Sequence, residues 1–325
     1  MNRISTLAES TNFSGVLRLD AADGSVFTLA QGQADRRVGA ENETSTRLAT
    51  ASATKGFTAL TVMSLIEKGD LQLTTTLRSI VGDALPFVDA AVTIEQLLGH
   101  TSGVGDYLDE EAMGDIDEYI LDVSAHTLER PADYLPLLNN HPQVSPPGEV
   151  FAYNNSGYIM LSIVIEELTG SFHDAVRQRV LEPAGMASSG FFRSDNLPPN
   201  TALGYLEDGR TNIFHLPVIG GGDGGIYLTL DDMASFWNAL YEGRIVTPES
   251  LDAMTTVRNV ASETYSYGLG FWLSPDGNIV WLEGLDPGVS FRSARSKRTG
   301  AHYTVISNTS SGAWPLVKHC HQLLS

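Results

Sequence analysis

The sequence predicts an α/β protein of the α+β type, in which an antiparallel sheet is flanked by helices and a helical domain is inserted. Strand-like segments lie near both ends of the 325-residue chain. Between them, helical segments alternate with loops marked by proline and glycine, and no internal repeat is present. The predicted sheet domain therefore comprises residues 1–70 and 216–325, and the mainly helical domain comprises residues 71–215.

The first part of the chain predicts two strands and a long helix. The strands are Gly15–Asp20 and Ser25–Gln31, which are separated by turn residues. The helix runs from Ser52 to Lys68 because its apolar residues share one face, and it ends before Gly69. In the middle region, a second clear helix is predicted from Ser156 to Leu168.

Strand signals return after residue 215, and helical patterns lie among them. The predicted strands are Gly225–Leu230, Tyr267–Leu273, Ile279–Leu282, Val289–Arg295 and His302–Ser307. The predicted helices of this region are Asp231–Tyr241 and Ala313–Leu324. Together with the two early strands, these segments supply the mainly antiparallel sheet and its flanking helices.

Composition and charge limit the classes of function. Apolar residues make up 42% of the chain and charged residues 18%, a globular composition that excludes wholesale disorder. The chain has 20 Lys and Arg against 39 Asp and Glu, and the resulting charge of −19 makes nucleic acid a poor partner. The single cysteine, Cys320, cannot form an internal disulfide, so the fold needs no oxidising compartment.

The sequence also predicts no membrane span and no bound metal. No apolar stretch reaches the roughly 18 residues that a membrane helix requires, and the first residues lack an apolar run of signal-peptide length. We therefore expect a cytoplasmic location, unless a leader preceded residue 1. The eight histidines show no zinc-binding spacing, and His319-Cys320-His321 lies on a helical pattern whose adjacent positions diverge.

The first candidate for chemistry is Ser52-Ala53-Thr54-Lys55, at the start of the first long helix. Residues three apart share a helix face, so Lys55 can reach the Ser52 hydroxyl and help to remove its proton. The helix N-terminus adds N–H groups that favour a developing oxyanion. Alone, the spacing is weak evidence, because 29 serines and 4 lysines predict about 0.4 such pairs by chance. A capping serine and a solvent-facing lysine are the structural alternative.

The second candidate is Tyr153-Asn154-Asn155, just before the helix that begins near Ser156. A phenol beside a lysine ammonium has a lowered pKa and can relay protons at neutral pH. The Asn155 amide can accept a hydrogen bond from Lys55 and donate one to a substrate carbonyl. A packed loop tyrosine followed by helix-capping asparagines is the alternative. The segment from Thr93 to Gly103 is interpreted as a short helix with a structural role.

Taken in their order, these segments resemble the penicillin-recognising serine hydrolases. That group includes class C β-lactamases, D-alanyl-D-alanine carboxypeptidases, D-aminopeptidases and β-lactamase-like esterases, and Ser-x-x-Lys is one of its signatures. The shared stretches are Ser52-x-x-Lys55, Leu97–Gly103, Pro147-Gly148, Tyr153-x-Asn155, Gly220–Gly225, Pro287-Gly288 and Ser307-Asn308. The resemblance implies a β-lactamase/transpeptidase-like fold with the active site between the two domains.

The same resemblance implies an activity and its residues. Ser52 would be the acylated nucleophile, Lys55 and Tyr153 its proton-transfer partners, and Asn155 a substrate-positioning residue. The implied reaction is hydrolysis of a small ester, amide or peptide through an acyl-enzyme, with a β-lactamase-like esterase as the first expectation. A D-amino peptidase, a D-alanyl-D-alanine carboxypeptidase or a weak β-lactamase is the second, and a non-catalytic sensor of lactams or peptides the third. No metal or organic cofactor is implied, and the oligomeric state stays open.

The late strand departs from the family pattern. Alignment on Pro287-Gly288 places an oxyanion-hole N–H at Leu285, next to Gly284, with the nucleophile's own N–H as the other donor. The family's third motif is usually Lys-Thr-Gly or His-x-Gly, whereas this chain has Leu282-Glu283-Gly284. Trp281 lies one residue too early for a Trp variant, unless a bulge shifts it. The missing cation and the acidic Glu283 disfavour substrates with a free carboxylate.

Three further features have mainly structural interpretations. Gly220-x-Gly222-x-x-Gly225 matches a dinucleotide fingerprint, but a strand follows it, so a loop entering a strand is expected. The acidic run from Asp106 to Asp122 is either a solvated face or a rim that attracts cationic substrates. Arg292 and Arg295 are expected to solvate a nearby hairpin turn, and they are also the first candidates for a substitute carboxylate clamp.

Overall fold

A long antiparallel sheet and its covering helices make up the structure, a computed structural model that describes residues 2–109 and 114–324. The strands are β1 (Gly15–Asp20), β2 (Val26–Gln31), β3 (Gln33–Asp35), β4 (Ala40–Glu41), β5 (Leu48–Ala49), β6 (Tyr227–Leu228), β7 (Asn259–Val260), β8 (Ser266–Tyr267), β9 (Trp272–Leu273), β10 (Ile279–Asp286), β11 (Val289–Ser296) and β12 (His302–Ser307). The helices are α1 (Asn2–Ser10), α2 (Thr54–Glu67), α3 (Leu77–Val81), α4 (Ile94–Leu98), α5 (Leu135–Leu138), α6 (Asn155–Thr169), α7 (Phe172–Val176), α8 (Glu182–Ala184), α9 (Leu230–Tyr241), α10 (Pro248–Met254) and α11 (Trp314–Leu324).

Eight strands form the main sheet in the order β2-β1-β12-β11-β10-β9-β8-β7, and every neighbouring pair is antiparallel. The early strand β1 pairs with the late strand β12, so the two ends of the chain close one sheet. This arrangement confirms the predicted fold class. The boundaries at residues 70 and 216 stay a prediction.

Two of the predicted strands differ from the structure. The expected strand Gly225–Leu230 is reduced to β6, which pairs with β5 outside the main sheet. The expected strand Tyr267–Leu273 is split into β8 and β9 by the segment around Gly270. Gly270 has a φ of +88°, and a Cβ there would lie 2.3 Å from the Ala59 side chain of α2. The chain therefore turns at this glycine to let α2 approach.

Helix α2 lies in the centre of the molecule and positions the first candidate motif. Its residues are buried on all sides from Thr54 to Met63, as expected for a core helix. The preceding turn, Ala51–Ala53, is a short 3₁₀ helix, so Ser52 lies one turn before α2 and not inside it. Ala51 adopts a φ of +50°, a strained conformation for a residue with a side chain.

Helix α6 begins beside the second candidate motif. The Asn154 side chain caps it by accepting a hydrogen bond from the Gly157 N–H at 2.7 Å, and Gly170 ends it with a φ of +86°. The helix lies against α2, and both belong to the larger of two hydrophobic cores. The smaller core joins the sheet to α1 and α11 and contains the buried Cys320. Among the described residues, no helix has the length and apolarity that crossing a bilayer requires.

Candidate active site

The turn before α2 brings Ser52 and Lys55 together. The Lys55 Nζ donates a hydrogen bond to the Ser52 Oγ at 2.8 Å. Lys55 is 2% exposed, whereas Ser52 is half-buried. The hydroxyl is therefore accessible while its cationic partner is enclosed by protein, as the i, i+3 spacing predicted.

Three oxygen atoms surround the buried amine. Besides the Ser52 hydroxyl, the Lys55 Nζ donates to the Asn155 Oδ1 at 2.7 Å and to the Asp223 carbonyl oxygen at 3.0 Å. A buried ammonium is tolerated only when such partners replace its water shell. The contacts connect α2 to the start of α6 and to the glycine-rich segment at residues 220–225.

Asn155 holds Lys55 and is itself held by protein groups. Its Nδ2 donates to the Leu108 carbonyl oxygen at 2.8 Å and to the Asp106 Oδ2 at 3.3 Å. An amide nitrogen has two N–H groups, and both have protein acceptors here. In this arrangement the Asn155 side chain holds Lys55, and its donation of a hydrogen bond to a substrate carbonyl stays a prediction.

Asp106 is a residue of the site that the sequence analysis missed. Its carboxylate accepts from the backbone N–H groups of Asn155 at 2.9 Å and Ser156 at 2.8 Å, which fixes the first turn of α6. Burial raises the pKa of Asp106 to about 6, against the opposing effects of these N–H groups and the Lys55 charge. Asp106 belongs to the acidic run that was interpreted as a solvated face or as a rim of the site. It lines the cleft at Ser52, but its carboxylate is bound to the start of α6 and is not part of a solvated face.

The Tyr153 ring lies over the amine and is clamped by other rings. The Lys55 Nζ lies 4.9 Å from the ring centroid. Tyr153 stacks on Trp272 at 5.5 Å, and its other close ring neighbour is His100 at 4.5 Å. The structure thus brings all four predicted residues, Ser52, Lys55, Tyr153 and Asn155, into one site.

His100 also connects the segment Thr93–Gly103 to the site. Its Nδ1 accepts a hydrogen bond from the Asn154 N–H at 3.0 Å, so it fixes the backbone between Tyr153 and Asn155. Burial lowers the pKa of His100 well below its usual value, and the Lys55 charge lowers it further. A neutral imidazole therefore serves this structural role, which agrees with the interpretation of the segment.

Gly284 lets strand β10 approach the nucleophile. A Cβ at this position would lie 2.1 Å from the Thr50 carbonyl oxygen and 2.8 Å from the Ser52 backbone nitrogen. These distances exclude any side chain. They also place the edge of β10 directly beside the Ser52 N–H.

The register of β10 gives the direction of the Leu285 N–H. Asp286 and Val289 are paired across a two-residue turn, and the closing pair of such a hairpin is hydrogen-bonded. Hydrogen-bonded and non-hydrogen-bonded pairs alternate along antiparallel strands, so the next pair, Leu285 and Ser290, is not hydrogen-bonded. The Leu285 N–H therefore points away from β11, towards the edge of β10. Strand β9 pairs with β10 only at Val280 and Trp281, so it does not cover this part of the edge. The location is compatible with the predicted oxyanion donor.

The residues at the third-motif position, Leu282-Glu283-Gly284, face different surroundings: Leu282 lies in the core, whereas Glu283 and Gly284 line the cleft. Leu282 is 2% exposed, and its side chain fills the space over Gly56, where a Cβ would lie 2.4 Å from it. Glu283 forms an ion pair with Arg292. Burial raises the pKa of Glu283, and the Arg292 charge opposes the shift. Arg292, a candidate clamp, is therefore engaged by Glu283.

Arg295, the other candidate clamp, lies elsewhere, and Trp281 is not shifted into the third motif. The Arg295 guanidinium lies 4.6 Å from the centre of the Tyr241 ring, against α9. The β10–β11 register runs without interruption from Ile279 to Asp286, so no bulge shifts Trp281. In the folded protein, therefore, none of Arg292, Arg295 and Trp281 takes the place of the cationic residue that the family's third motif usually has.

Two cavities meet at Ser52. The inner cavity has a volume of about 820 Å³ when its opening to solvent is included, and its wall includes Tyr107, Tyr119, Phe192, Ile213, His215, Pro217, Asp223, Gly224, Tyr227 and Asp286. The outer cleft has a volume of about 1670 Å³, again with its opening to solvent included, and is lined by residues that include Asp106, Asp109, Phe151, Tyr153, Tyr265, Trp272, Trp281, Glu283, Leu285 and Arg292. Because Ser52 lines both, its hydroxyl can meet a substrate that extends to either side.

The glycine-rich segment is a packed loop before β6, as the sequence predicted. A Cβ at Gly222 would lie 2.3 Å from the Tyr158 carbonyl oxygen of α6. The Asp223 carboxylate is buried and accepts a hydrogen bond from the Tyr107 hydroxyl. Of the acidic run, Asp117 accepts from the Glu207 N–H at 2.8 Å, while Glu110 and Glu111 lie outside the described residues.

Comparisons with known proteins agree with this geometry. The family model described as Beta-lactamase matches residues 2–312. PbpX of Bacillus subtilis, named for penicillin binding, is 26% identical over 317 residues, covering 96% of this chain and 74% of PbpX. The crystal structure of a penicillin-binding protein from Bacillus halodurans has a TM-score of 0.93 and 38% identity, covering 98% of this chain and 99% of that chain.

A more distant structure shows the fold alone. The D-amino acid amidase from Ochrobactrum anthropi, complexed with D-phenylalanine, has a TM-score of 0.83 and 22% identity. The match covers 99% of this chain and 98% of the amidase.

Proposed function

The chain belongs to the beta-lactamase family of serine hydrolases, and we propose that it hydrolyses esters or amides through an acyl-enzyme formed on Ser52. The observation that carries the proposal is the 2.8 Å hydrogen bond between the buried Lys55 Nζ and the accessible Ser52 Oγ. An exposed lysine would be hydrated and mobile. The burial of Lys55 and its hydrogen bonds to Ser52, Asn155 and Asp223 instead fix its ammonium group beside the hydroxyl, which supports a catalytic role.

In the first step, the Ser52 Oγ attacks the substrate carbonyl carbon and loses its proton. With three oxygens around its Nζ, Lys55 is best described as an ammonium that stabilises negative charge on its neighbours. The Tyr153 phenol lies beside that charge and is the group that would take the proton as phenolate. Lys55 and Tyr153 thus act as one proton-transfer pair.

The carbonyl oxygen becomes an oxyanion when the Ser52 oxygen bonds to the carbon. The N–H groups of Ser52 and Leu285 are the proposed donors to it, because Gly284 holds β10 against the turn before α2. Donors of this kind typically contribute about 3–4 kcal/mol each to the transition state. The bond to the leaving group then breaks, and Tyr153 returns the proton to that group. Water later releases the acyl group as an acid and restores the Ser52 hydroxyl.

The cleft chemistry favours ester or amide substrates without a free carboxylate. The Glu283–Arg292 ion pair neutralises the arginine that could have bound a carboxylate. A β-lactamase-like esterase is therefore our first assignment, and a peptidase acting on D-amino compounds or a weak β-lactamase is second. The non-catalytic sensor is disfavoured because Lys55 already lies within hydrogen-bonding distance of Ser52.

The proposal is tested by steady-state hydrolysis of a panel of p-nitrophenyl esters, D-amino amides and nitrocefin. We expect the highest kcat/KM with the esters, and no turnover of any substrate by Ser52→Ala. Ser10→Ala, which changes an exposed serine of α1, is the matched control and should keep the wild-type rate. Ester turnover by a folded Ser52→Ala variant would refute the mechanism, and nitrocefin as the best substrate would reverse the order of the assignments.

A further inference from the structure

The carboxylate of Asp106 is connected to the nucleophile by a chain of hydrogen bonds. Its Oδ2 accepts from the Asn155 Nδ2 at 3.3 Å, and the Asn155 Oδ1 accepts from the Lys55 Nζ at 2.7 Å. The same Nζ donates to the Ser52 Oγ at 2.8 Å. A change in the charge or position of Asp106 can therefore reach the reacting hydroxyl without any contact between the two residues.

Asp106 and the Leu108 carbonyl group together fix which way the Asn155 amide faces. An amide side chain has an oxygen that accepts and a nitrogen that donates, and a half-turn of the side chain exchanges the two. An ionised carboxylate and a carbonyl oxygen only accept, so both attract the amide nitrogen, at 3.3 Å and 2.8 Å. The amide oxygen is thereby directed to Lys55, whose ammonium only donates.

The loop that carries Asp106 is anchored on both sides of this residue. Before it, the Gly105 N–H donates to the Pro142 carbonyl oxygen at 3.1 Å, and a Cβ at Gly105 would lie 2.5 Å from that oxygen. After it, the Tyr107 N–H donates to the Ser156 Oγ of α6 at 2.9 Å. The carboxylate is thus held in place by the backbone around it, as a group that positions others has to be.

Capping of α6 does not by itself require a charge at Asp106. The Asn154 side chain already accepts from the Gly157 N–H at 2.7 Å, and neutral side chains cap helices as well as charged ones do. Burial raises the pKa of Asp106 to about 6, so the ionised form that is present at pH 7 lowers the stability of the folded state. Charges that are retained against stability are concentrated at functional sites.

The Lys55 ammonium attracts the Asp106 carboxylate across the Asn155 amide, and this attraction favours the ionised form of Asp106. Glu283 and Arg292, which line the same outer cleft, form an ion pair with each other. The other titratable side chains around the pair of Asp106 and Lys55 are Tyr107, Asp109, Tyr119, Tyr153 and Asp223. The charge of Asp106 therefore acts on the amine that holds Ser52.

We propose that Asp106 is a positioning residue, whose ionised carboxylate acts through the Asn155 amide to hold the Lys55 ammonium at the Ser52 hydroxyl. Both oxygens of Asp106 accept hydrogen bonds from the first turn of α6, so this role needs no contact with the substrate. Loss of the charge should therefore lower kcat and leave KM nearly unchanged. This inference rests on the proposed acyl-enzyme mechanism and adds to it the group that keeps Lys55 in place.

A double-mutant cycle tests whether Asp106 acts through Asn155. With a p-nitrophenyl ester at neutral pH, Asp106→Asn should lower kcat by about 10- to 100-fold, the effect of a small displacement of a catalytic group. In the Asn155→Ala background, the same change should lower kcat by less than about 2-fold, because the connection to Lys55 is already broken. Asp83→Asn makes the same charge change at a side chain that is 98% exposed, and it should keep the wild-type kcat.

The pH profile of kcat is a second readout, and for the wild-type enzyme it needs no variant. The wild-type kcat should fall as the pH drops through about 6, because protonation removes the charge of Asp106 and turns one of its acceptor oxygens into a donor. This decrease should be absent from Asp106→Asn. It should persist in Glu283→Gln, which removes another carboxyl group of the cleft whose pKa burial raises. Thermal unfolding at neutral pH shows which variants are folded.

Distinct results separate this inference from the proposed function. If the wild-type enzyme hydrolyses the ester but its kcat does not change through pH 6, the positioning role is wrong and the hydrolase proposal stands. The same conclusion follows if Asp106→Asn lowers kcat equally in the wild-type and Asn155→Ala backgrounds, or if it changes KM alone. If the wild-type enzyme hydrolyses no ester, the proposed function fails, and the role of Asp106 fails with it.

Discussion

The contact between Gly284 and the turn before α2 gives the sharpest quantitative prediction. In Gly284→Ala, the added Cβ would lie 2.1 Å from the Thr50 carbonyl oxygen and 2.8 Å from the Ser52 nitrogen. Since the interior is close-packed, we expect the edge of β10 to retreat from Ser52 by roughly 1 Å. A displacement of that size costs about 10²-fold in rate, and complete loss of one oxyanion donor costs about 10²–10³-fold in kcat.

The assay is ester hydrolysis, measured together with thermal unfolding. Overpacking should lower the free energy of unfolding by about 1–3 kcal/mol, so the rates are compared well below the melting temperature of the variant. Gly114→Ala is the matched control, because no atom of the described residues lies within 4 Å of a Cβ at that glycine, and it should keep the wild-type rate. A folded Gly284→Ala enzyme with wild-type kcat/KM would refute the proposed oxyanion geometry.

Three other changes test separate parts of the site. Tyr153→Phe should lower kcat for ester hydrolysis by about 10²–10⁴-fold, because it removes the proposed proton carrier, and an unchanged kcat would remove Tyr153 from the mechanism. Glu283→Gln should free Arg292 from its ion pair, so the KM for substrates that carry a carboxylate should fall relative to the KM for neutral esters; equal KM changes would mean that Arg292 does not face those substrates. Burial raises the pKa of Asp106 from the ordinary 3.8 to about 6 in the folded protein, so the folded state binds more protons between these pH values. The stability of the wild-type protein relative to Asp106→Asn should therefore fall by about 2 kcal/mol as the pH rises from about 4 to 6. Urea unfolding across that range measures this difference, and a pH-independent difference would contradict the burial of the charged carboxylate.

The parts of the site that sequence could predict are those with a local pattern. The i, i+3 spacing of Ser52 and Lys55 and the order of the later segments led to the residues that meet in the cleft. The hairpin around Pro287-Gly288 likewise predicted where β10 would approach Ser52.

Other parts depend on contacts between distant segments, which carry no local signal. Asp106 lies in the same acidic run as its exposed neighbours, so the sequence does not distinguish it from them. The fold nevertheless places its carboxylate against the first turn of α6. The core position of Leu282 follows from the absence of a side chain at Gly56, in another element. The engagement of Arg292 by Glu283 is a cross-strand pairing that requires the β10–β11 register.

The covalent intermediate on Ser52 can be detected by mass spectrometry. The wild-type protein is treated with a fluorophosphonate, its intact mass is measured, and the modified peptide is sequenced. We expect one adduct, located on Ser52 and absent from Ser52→Ala. An adduct on another residue, or an unmodified protein that still hydrolyses esters, would contradict it.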